Sequence, residues 1–158
     1  FKRDRIVPDV IKSLKNGSKI LLRNPNATRP WQHVLEPLSG YLKLGHKLIN
    51  KELKSNLMPN WNFGPHKKNC KNVYSIVQLL IKEWGEKKQK IVIKKNKKFH
   101  ESKLLSLNIE KAKKELLWEP KLSLNETIKF TIDWYKYYFF EDKVEDISKY
   151  QIDYYTDK

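Results

Sequence analysis

The residues best suited to chemistry lie in one segment, residues 23–34. Within it Arg29 is followed by Pro30 and Trp31. Proline fixes the backbone beside the arginine, and the indole offers it a rigid apolar support. A guanidinium held in this way can donate two parallel hydrogen bonds to one phosphate. The segment therefore predicts an anion-binding arginine. The alternative is a solvated loop arginine next to a tryptophan that only fills the core.

The elements around this segment are short. Two prolines and two asparagines argue against regular structure through most of residues 23–34. Apolar residues spaced by three and four predict helices over residues 5–16, 36–48, 73–84, 108–117 and 123–140. Short apolar runs predict strands over residues 19–22, 32–34, 60–63, 91–93 and 104–107. Helices that alternate with a few short strands predict a mixed α/β domain.

Several local signals refine these predictions. Gly85 should end the third helix, and Ser123 with Glu126 forms a capping-box pattern at the start of the last one. The second helix carries an apolar face made of Leu38, Tyr41, Leu42 and Leu48. Residues 142–158 show no clear period, so we expect a folded portion over residues 1–141 and a loosely ordered tail over residues 142–158.

The charge is high, and its distribution matters more than its size. The 158 residues carry a formal net charge of +15, which often indicates binding to nucleic acid or to an anionic membrane. Arginine occurs only at positions 3, 5, 23 and 29, and the other basic residues are lysines spread along the chain. Scattered lysines are typical of a solvated surface. The dense run over residues 87–98 could still bind polyanions weakly, so a nucleic-acid-binding module remains an alternative.

Metal and disulfide chemistry find little support. Cys70 is the only cysteine, so it is expected to be a bystander thiol. His33, His46 and His66 lack zinc-site spacing, and His33 is expected to be a hydrogen-bonded structural residue. No apolar run reaches the length of a membrane span, and no signal-peptide pattern is visible. These patterns predict a cytoplasmic protein without a metal.

One stretch, Arg29-Pro30-Trp31-Gln32-His33-Val34-Leu35-Glu36-Pro37-Leu38-Ser39-Gly40-Tyr41-Leu42, closely resembles a segment of bacterial CDP-glucose 4,6-dehydratases. Those proteins are NAD-dependent extended short-chain dehydrogenases/reductases that act on nucleotide-sugars. Further matching pieces are Asp4-Arg5-Ile6-Val7-Pro8-Asp9, Trp61-Asn62-Phe63-Gly64-Pro65, His100-Glu101, Lys111-Ala112 to Leu116, and Trp118-x-Pro120. The resemblance covers about residues 3 to 140. It implies the C-terminal part of an extended Rossmann-type fold, with short strands and a small helical substrate-binding domain.

The resemblance also implies an activity. The parent enzyme would oxidise the sugar at C4 with bound NAD, eliminate water across C5 and C6, and return the hydride to C6. The product would be CDP-4-keto-6-deoxy-glucose, a precursor for deoxysugars of surface polysaccharides such as the O-antigen of lipopolysaccharide. The parent enzyme is expected to form a homo-oligomer.

The motifs for NAD binding and for turnover are not found in these residues. The sequence has only five glycines and no Gly-x-x-Gly-x-x-Gly loop, and no Tyr-x-x-x-Lys follows a strand. It begins at Phe1, and its only methionine is Met58. We therefore expect the C-terminal part of a longer protein, with NAD bound mainly by an N-terminal half, no catalytic residue in this chain, and no turnover by the chain alone.

The resemblance implies that residues 1–141 are a substrate-binding portion, and it places a substrate site there. Arg29 would grip the pyrophosphate and Asn62 would lie near the phosphates. His100 and Glu101 could hold the ribose hydroxyls. Further implied contacts line the edge of the site and the base, and they are Arg5, Ile6, Ile20 and Leu22.

Each of these residues also has a purely structural alternative. Arg5 could be a solvated first-turn residue, and Ile20 and Leu22 simple strand residues. Asn62 could bond only to a neighbouring backbone group, and residues 100–101 could form a solvated loop pair.

The chain departs from the family at two places. Phe99 and Ser102 flank the His-Glu pair where the family usually has proline and alanine, and Leu117 stands where glycine commonly precedes the tryptophan. These departures put the details of that edge in doubt. An epimerase or a dehydratase that acts on a dTDP- or GDP-sugar would share the fold, so the nucleotide base stays open.

Overall fold

The computed structural model describes residues 5–53, 60–86, 88–94 and 104–158. In these residues the helices are α1 (Ile6–Lys15), α2 (Leu35–Ile49), α3 (Val73–Trp84), α4 (Glu110–Leu116), α5 (Leu124–Lys136) and α6 (Val144–Asp157). The strands are β1 (Ile20–Leu22), β2 (Thr28–Pro30), β3 (Cys70–Asn72) and β4 (Ile91–Ile93). A 3₁₀ turn covers Lys67–Asn69, and a π-helical turn over Tyr137–Glu141 extends α5. The mixed α/β prediction is confirmed.

The main core lies between α1, α3, α5 and a small parallel sheet. Strand β1 pairs with β4, with Ile20 opposite Ile91 and Leu22 opposite Ile93. The apolar stripes of the three helices close on this sheet, as their spacing predicts. The buried side chains of this core are Val10, Ile11, Leu14, Ile20, Leu22, Ile76, Val77, Leu80, Ile128 and Ile132. The predicted helix over residues 73–84 and its end at Gly85, with φ of 91°, are also confirmed.

The prediction of irregular structure through most of residues 23–34 is confirmed outside β2, and β2 is a strand that the sequence did not predict. This strand pairs antiparallel with β3, and the register places Thr28 opposite Asn72 and Pro30 opposite Cys70. On its other side, Thr28 forms a parallel bridge with Leu104. A strand of three residues is too short to show an alternating pattern, and its pairing partner lies about forty residues away in the sequence. The strand predicted over residues 32–34 is absent, because these residues are irregular and lead directly into α2.

A second core forms around Phe63. Its ring meets the indole of Trp118 edge-on, with ring centroids 5.0 Å apart, and the ring of Tyr41 at 5.3 Å. Residues 60–63 are irregular, so the predicted strand there is wrong. The segment is held instead by ring packing and by Gln32, whose Nε2 donates to the carbonyl of Phe63 at 2.9 Å. In the predicted strand over residues 104–107, only Leu104 makes a bridge.

The helix ends follow their sequence signals. The Ser123 side chain accepts from the backbone N–H of Glu126, and the Glu126 carboxylate accepts from the N–H of Ser123, so the capping box is formed. Asn108 does not occupy the N-cap position of α4, which is Ile109. Its Oδ1 accepts from the N–H of Glu110 at 3.0 Å and still satisfies one donor of the first turn.

The prediction of a loose tail over residues 142–158 differs from the structure. Most of it is helix α6, which buries Ile147, Gln151 and Tyr155. The Gln151 Nε2 donates to the carbonyl of Phe130 at 2.8 Å. These three positions are spaced by four, but the tyrosines and charges between them obscure the pattern in the sequence. The buried glutamine is satisfied by a partner twenty-one residues earlier, and sequence spacing cannot reveal that partner.

Helix α2 has the boundaries that the sequence predicts within two residues, but its faces are reversed. Its buried positions are Glu36 and Gly40, whereas the predicted apolar face is exposed to solvent. The core side of α2 is polar because Glu36 accepts hydrogen bonds from the N–H of Leu122 and the hydroxyl of Tyr155 in α6, and Ser39 accepts from the indole of Trp118.

Candidate nucleotide-sugar site

Arg29 occupies the centre of β2. Its side chain is half-buried, and one guanidinium nitrogen donates to the carbonyl of Thr28 at 2.9 Å. Both of its sequence neighbours are fixed, since Thr28 is bridged to Leu104 and Pro30 is paired with Cys70. The arginine is therefore presented by a hydrogen-bonded strand, which holds its Cα position more firmly than a loop would.

Lys71 lies directly opposite Arg29 in the β2–β3 pair. Residues paired in this way have their Cβ atoms about 5 Å apart and on the same face of the ribbon. Like charges directly opposite each other in a strand pair disfavour the pairing. The pairing thus places two cations where a phosphate could accept hydrogen bonds from both. Sequence reasoning missed Lys71 because Arg29 and Lys71 are far apart in the chain.

The residues after Arg29 anchor this ribbon to the protein. The Trp31 Nε1 donates to the carbonyl of Lys71 at 2.8 Å, and its ring packs against the main core. Gln32 bonds to Phe63 through Nε2, while its Oε1 is buried and accepts no hydrogen bond from the part of the chain that the structure describes. Trp31 therefore anchors the β2–β3 ribbon to the main core, and Gln32 ties β2 to the residues next to Asn62.

His33 is a structural residue, as the sequence predicts. Its Nδ1 accepts from the N–H of Leu35 at 3.4 Å, and its ring meets Phe130 edge-on with centroids 5.6 Å apart. Burial lowers the pKa of His33 to about 4, because a charged imidazolium would lose its hydration. The ring is therefore neutral at physiological pH and does not contribute charge to the site.

The other predicted contacts fall into two groups. Arg5 is exposed at the N-cap of α1, and Ile6 packs partly against the main core. The side chains of Ile20 and Leu22 are each 1% exposed. Because these two side chains are enclosed in the core, they are available to a ligand only through their backbone. A role for all four residues in substrate binding stays a prediction.

Asn62 is exposed, and its Nδ2 donates weakly to the carbonyl of Asn108 at 3.4 Å. The carbonyl of its neighbour Phe63 accepts a hydrogen bond from Gln32. This hydrogen bond joins the two chain segments, since Gln32 is three residues after Arg29 and Phe63 directly follows Asn62. His100 and Glu101 lie outside the described residues. Leu105, four residues after Glu101, donates its N–H to the carbonyl of Thr28 at 3.2 Å, so the chain returns to the arginine strand just after that pair.

A Tyr-x-x-x-Lys spacing, which dehydrogenases use for catalysis, occurs near the end of the sequence. The match is Tyr154, which lies in the last turn of α6, and Lys158, which is the C-cap of that helix, so it does not lie on a helix that follows a strand. The Tyr154 hydroxyl donates to Glu126 at 2.9 Å, and this hydrogen bond raises the pKa of Tyr154. In this structure the Tyr154 hydroxyl is therefore bonded to the capping box of α5.

Other cofactor chemistry is also unsupported in the described ranges. They contain no group of three or more His, Cys, Asp and Glu side chains that could hold a metal. Cys70 is partly exposed and unpaired by disulfide. Among helices in the described parts of the chain, none is long and apolar enough to cross a membrane.

Comparison with known proteins identifies the relatives of this chain. Over 136 residues, this chain is 37% identical to CDP-glucose 4,6-dehydratase of Salmonella typhimurium (strain LT2). The alignment covers 86% of this chain. The chain is homologous to CDP-glucose 4,6-dehydratase. The match includes only 37% of the length of that relative, so this chain spans well under half of it. No protein-family model matches the sequence.

Solved structures agree on the fold of this CDP-glucose 4,6-dehydratase homologue. A dTDP-glucose 4,6-dehydratase from Bacillus anthracis in complex with NAD matches 84% of the chain with a TM-score of 0.65 and 23% identity. A UDP-glucuronic acid 4-epimerase from Bacillus cereus, in complex with UDP-glucuronic acid and NAD, matches 87% with a TM-score of 0.71 and 20% identity.

Epimerase Mth375 from Methanothermobacter thermautotrophicus matches 94% of the chain with a TM-score of 0.70 and 21% identity. The chain covers 39%, 41% and 40% of these three structures. Its fold is therefore that of the C-terminal region of Rossmann-type extended short-chain dehydrogenases, as the sequence predicts.

Proposed function

We propose that this chain is the nucleotide-sugar-binding part of an NAD-dependent CDP-glucose 4,6-dehydratase, a lyase that converts CDP-glucose to CDP-4-keto-6-deoxy-glucose and water. The observation that carries the proposal is the pairing of Arg29 with Lys71 on a strand ribbon, in a chain that is 37% identical to such an enzyme. A nucleotide-sugar has a pyrophosphate with two negative charges, and two adjacent cations match it.

The proposed roles follow from this arrangement. Arg29 grips the pyrophosphate with its planar fork, and Lys71 adds a point charge beside it. Asn62, on the segment tied to Gln32, donates its amide to a phosphate or sugar oxygen. His100 and Glu101 hold the ribose hydroxyls. Further contacts at the edge of the base are proposed for Arg5, Ile6, Ile20 and Leu22.

The hydride chemistry belongs to NAD, which the family uses to oxidise the sugar and to return the hydride after the loss of water. These 158 residues contain no glycine-rich dinucleotide loop and no strand-following Tyr-x-x-x-Lys. We therefore propose that NAD binds mainly to another part of the enzyme and that this chain holds and orients the substrate. Conversion of CDP-glucose to the keto sugar by the purified chain with added NAD would contradict that division.

A calorimetric titration with CDP-glucose tests the binding role. The chain should bind saturably, and Arg29→Ala should abolish measurable binding. Lys71→Ala should weaken binding about ten- to 150-fold, since loss of a charge-assisted hydrogen bond is worth roughly 1.5–3 kcal/mol. Arg23→Ala is the matched control because Arg23 is an exposed arginine of the same segment. Circular dichroism must show that each variant is folded. A folded chain that does not bind, or that binds equally well without Arg29, would refute the role.

The nucleotide base requires its own comparison. Affinities for CDP-, dTDP-, UDP- and GDP-glucose, measured on the same preparation, separate a cytidine enzyme from a related dehydratase or epimerase. Because all four ligands share the pyrophosphate, Arg29→Ala should weaken each of them alike. If the chain prefers another base, CDP-glucose is not the substrate, although the fold and the proposed role of Arg29 would stand.

The net charge of +15 supports one competing function, a nucleic-acid-binding module. Such a module would bind duplex DNA with an affinity that falls steeply as salt rises. That affinity would not depend on Arg29, because scattered lysines would supply the contacts. A titration with DNA at two salt concentrations, with and without Arg29→Ala, distinguishes the two functions.

A further inference from the structure

Strand β4 pairs with β1 on one side only. The carbonyl of Lys90 and the N–H of Lys94 bond to β1 at 2.9 Å and 2.8 Å. Because backbone groups alternate in direction along a strand, the N–H and C=O groups of Ile91 and Ile93 point to the other side. These four groups, which we call the free edge of β4, form no backbone hydrogen bond with another residue in the described ranges.

A groove lies between β4 and the outer side of α3. It has a volume of about 550 Å³ and follows α3 from Tyr74 to Gly85, with Ile91 on the side of the strand. The core covers β1 better than β4. Leu22 is buried, whereas Ile93, its partner in the sheet and on the same face, is 51% exposed. The free edge and an apolar face of β4 are therefore both open next to the groove.

An extended polypeptide laid beside β4 would use both features. Its backbone would bond to the free edge, as in the recognition of peptides by strand addition. Every second side chain would lie on the face of Ile91 and reach the groove, where Tyr74 and Ile81 offer apolar contact. A nucleic-acid backbone does not present alternating donors and acceptors at the spacing of a strand, so the free edge favours a peptide.

The charges around the groove specify the kind of peptide. Lys82 lines the groove together with Glu86, and Lys88, Lys90 and Lys94 flank β4. All four lysines are exposed. Lysines on an edge strand oppose the pairing of two like edges, so a second copy of this chain is a poor occupant. A segment with carboxylates between its apolar residues complements the same lysines.

We propose that the free edge of β4 and the groove beside α3 form a docking site for an extended acidic segment of a partner protein, which adds a further strand to the parallel sheet. The site uses neither Arg29 nor Lys71, which lie on the separate β2–β3 ribbon. Its test is therefore independent of the proposed function.

Fluorescence anisotropy with short labelled peptides tests the docking. One peptide alternates glutamate with valine, and a matched peptide alternates lysine with valine. The glutamate peptide should bind the 158-residue chain saturably with a Kd below about 1 mM, and the lysine peptide at least about tenfold more weakly. Equal affinities, or no saturation by the glutamate peptide, would overturn the proposal.

N-methylation of the glutamate peptide distinguishes strand addition from charge attraction alone. Methyl groups on the valine nitrogens and on the glutamate nitrogens block opposite edges of an extended peptide, because successive N–H groups point to opposite sides. One methylated peptide should lose at least about tenfold in affinity and the other should retain it. Loss with methylated valine indicates antiparallel addition, and loss with methylated glutamate indicates parallel addition. If both peptides bind alike, the free edge is not used and the proposal fails.

A variant of the strand tests the free edge from the side of the protein. Ile93→Pro removes one outward N–H and leaves the groups that pair with β1, and an edge strand tolerates proline there. It should weaken binding of the glutamate peptide about three- to tenfold. Ile93→Thr is the matched control because it keeps the N–H, and it should bind as the unchanged chain does. Circular dichroism must show that both variants are folded. Equal affinities of the two folded variants would contradict the proposal.

Charge reversal tests the preference for an acidic segment. The double variant Lys90→Glu/Lys94→Glu should bind the lysine peptide more tightly than the glutamate peptide. Lys143→Glu/Lys149→Glu changes the net charge equally on exposed positions near and in α6 and should leave the preference unchanged. A control pair that reverses the preference as well would assign the effect to the net charge and overturn the proposal.

A single-stranded oligonucleotide serves as the competing ligand. Tighter binding of the oligonucleotide than of the glutamate peptide, lost in Lys90→Glu/Lys94→Glu, would assign this surface to nucleic acid and overturn the proposal. We expect the oligonucleotide to bind no better to the unchanged chain than to Ile93→Pro, since it makes no strand hydrogen bonds.

Discussion

The carboxylate of Glu36, which is 1% exposed, accepts a hydrogen bond of 2.7 Å from the hydroxyl of Tyr155, 119 residues later in the chain. The same carboxylate accepts the backbone N–H groups of Lys121 at 3.0 Å and of Leu122 at 2.7 Å. The Tyr155 hydroxyl also lies 2.8 Å from Ser39 Oγ, which in turn accepts from the indole of Trp118. One buried carboxylate therefore joins α2, the segment after α4, and α6.

Replacement of Tyr155 by phenylalanine tests this junction. The variant keeps the ring and removes the donor, which leaves Glu36 with one unsatisfied lone pair in a buried position. We expect the free energy of unfolding to fall by about 1–3 kcal/mol, as for other hydrogen bonds to buried charges, measured by urea denaturation. Tyr150→Phe is the control because Tyr150 lies on the same helix and is exposed. An equal effect of both changes would mean that the Glu36 contact contributes nothing special.

Two glycines of α2 should respond in opposite directions to alanine. A Cβ at Gly40 would lie 2.3 Å from Cδ1 of Phe63, whereas a Cβ at Gly45 would meet no atom within 4 Å. Gly40→Ala should therefore destabilise the protein by about 1–3 kcal/mol through overpacking. Gly45→Ala should stabilise it by about 0.5–1 kcal/mol because alanine favours the helix.

Thermal denaturation of the two glycine variants compares them directly. The double variant Gly40→Ala/Phe63→Leu should recover part of the loss, since the smaller side chain makes room for the methyl group. If Phe63→Leu adds its own destabilisation without any recovery, the close approach of Gly40 to Phe63 does not explain the effect.

His33 should make stability depend on pH. Burial lowers the pKa of His33 to about 4 in the folded state, from 6.5 in the unfolded state. The unfolded chain therefore binds more protons between these two values, and the free energy of unfolding falls as the pH falls through that range. Above the unfolded pKa the contribution is fully present.

Between about pH 7.5 and about pH 5, this one group should cost about 2 kcal/mol of stability. His33→Gln removes the titration and should flatten that part of the stability profile. Urea denaturation of both proteins at a series of pH values measures the difference. Identical profiles would show that the imidazole is protonated in the folded protein or is solvated there.

The capping box of α5 supplies a further prediction. The ammonium of Lys158 and the hydroxyl and N–H of Ser123 lower the pKa of Glu126 to about 2. This carboxylate therefore stabilises the fold above its ordinary pKa of about 4.5, and the contribution is lost as the pH falls towards 2. At neutral pH, Ser123→Ala should reduce the free energy of unfolding by about 1 kcal/mol.

Asn125→Ala is the control for the cap, because Asn125 is an exposed residue of the same helical turn. Both variants can be compared by chemical denaturation at neutral pH. A loss of stability in Asn125→Ala as large as that in Ser123→Ala would assign the effect to the helix turn in general and not to the cap.

The sequence by itself determined the elements whose signals are local. The helices α1, α3 and α5, the end at Gly85 and the capping box at Ser123 depend on spacing, on glycine and on a side chain three residues away, and these are visible in any short window. The resemblance to nucleotide-sugar dehydratases was likewise carried by continuous motifs, and the 37% identity confirms it.

The tertiary structure decided everything that depends on distant partners. Strand β2 exists because β3 pairs with it, and that pairing alone sets Lys71 opposite Arg29. The tail became a helix because Glu36 and Phe130 accept from its tyrosine and glutamine. The sequence pattern of α2 could not show which face of the helix is buried in this chain. An apolar stripe predicts that a face will be covered, but only the packing shows whether this chain or another polypeptide covers it.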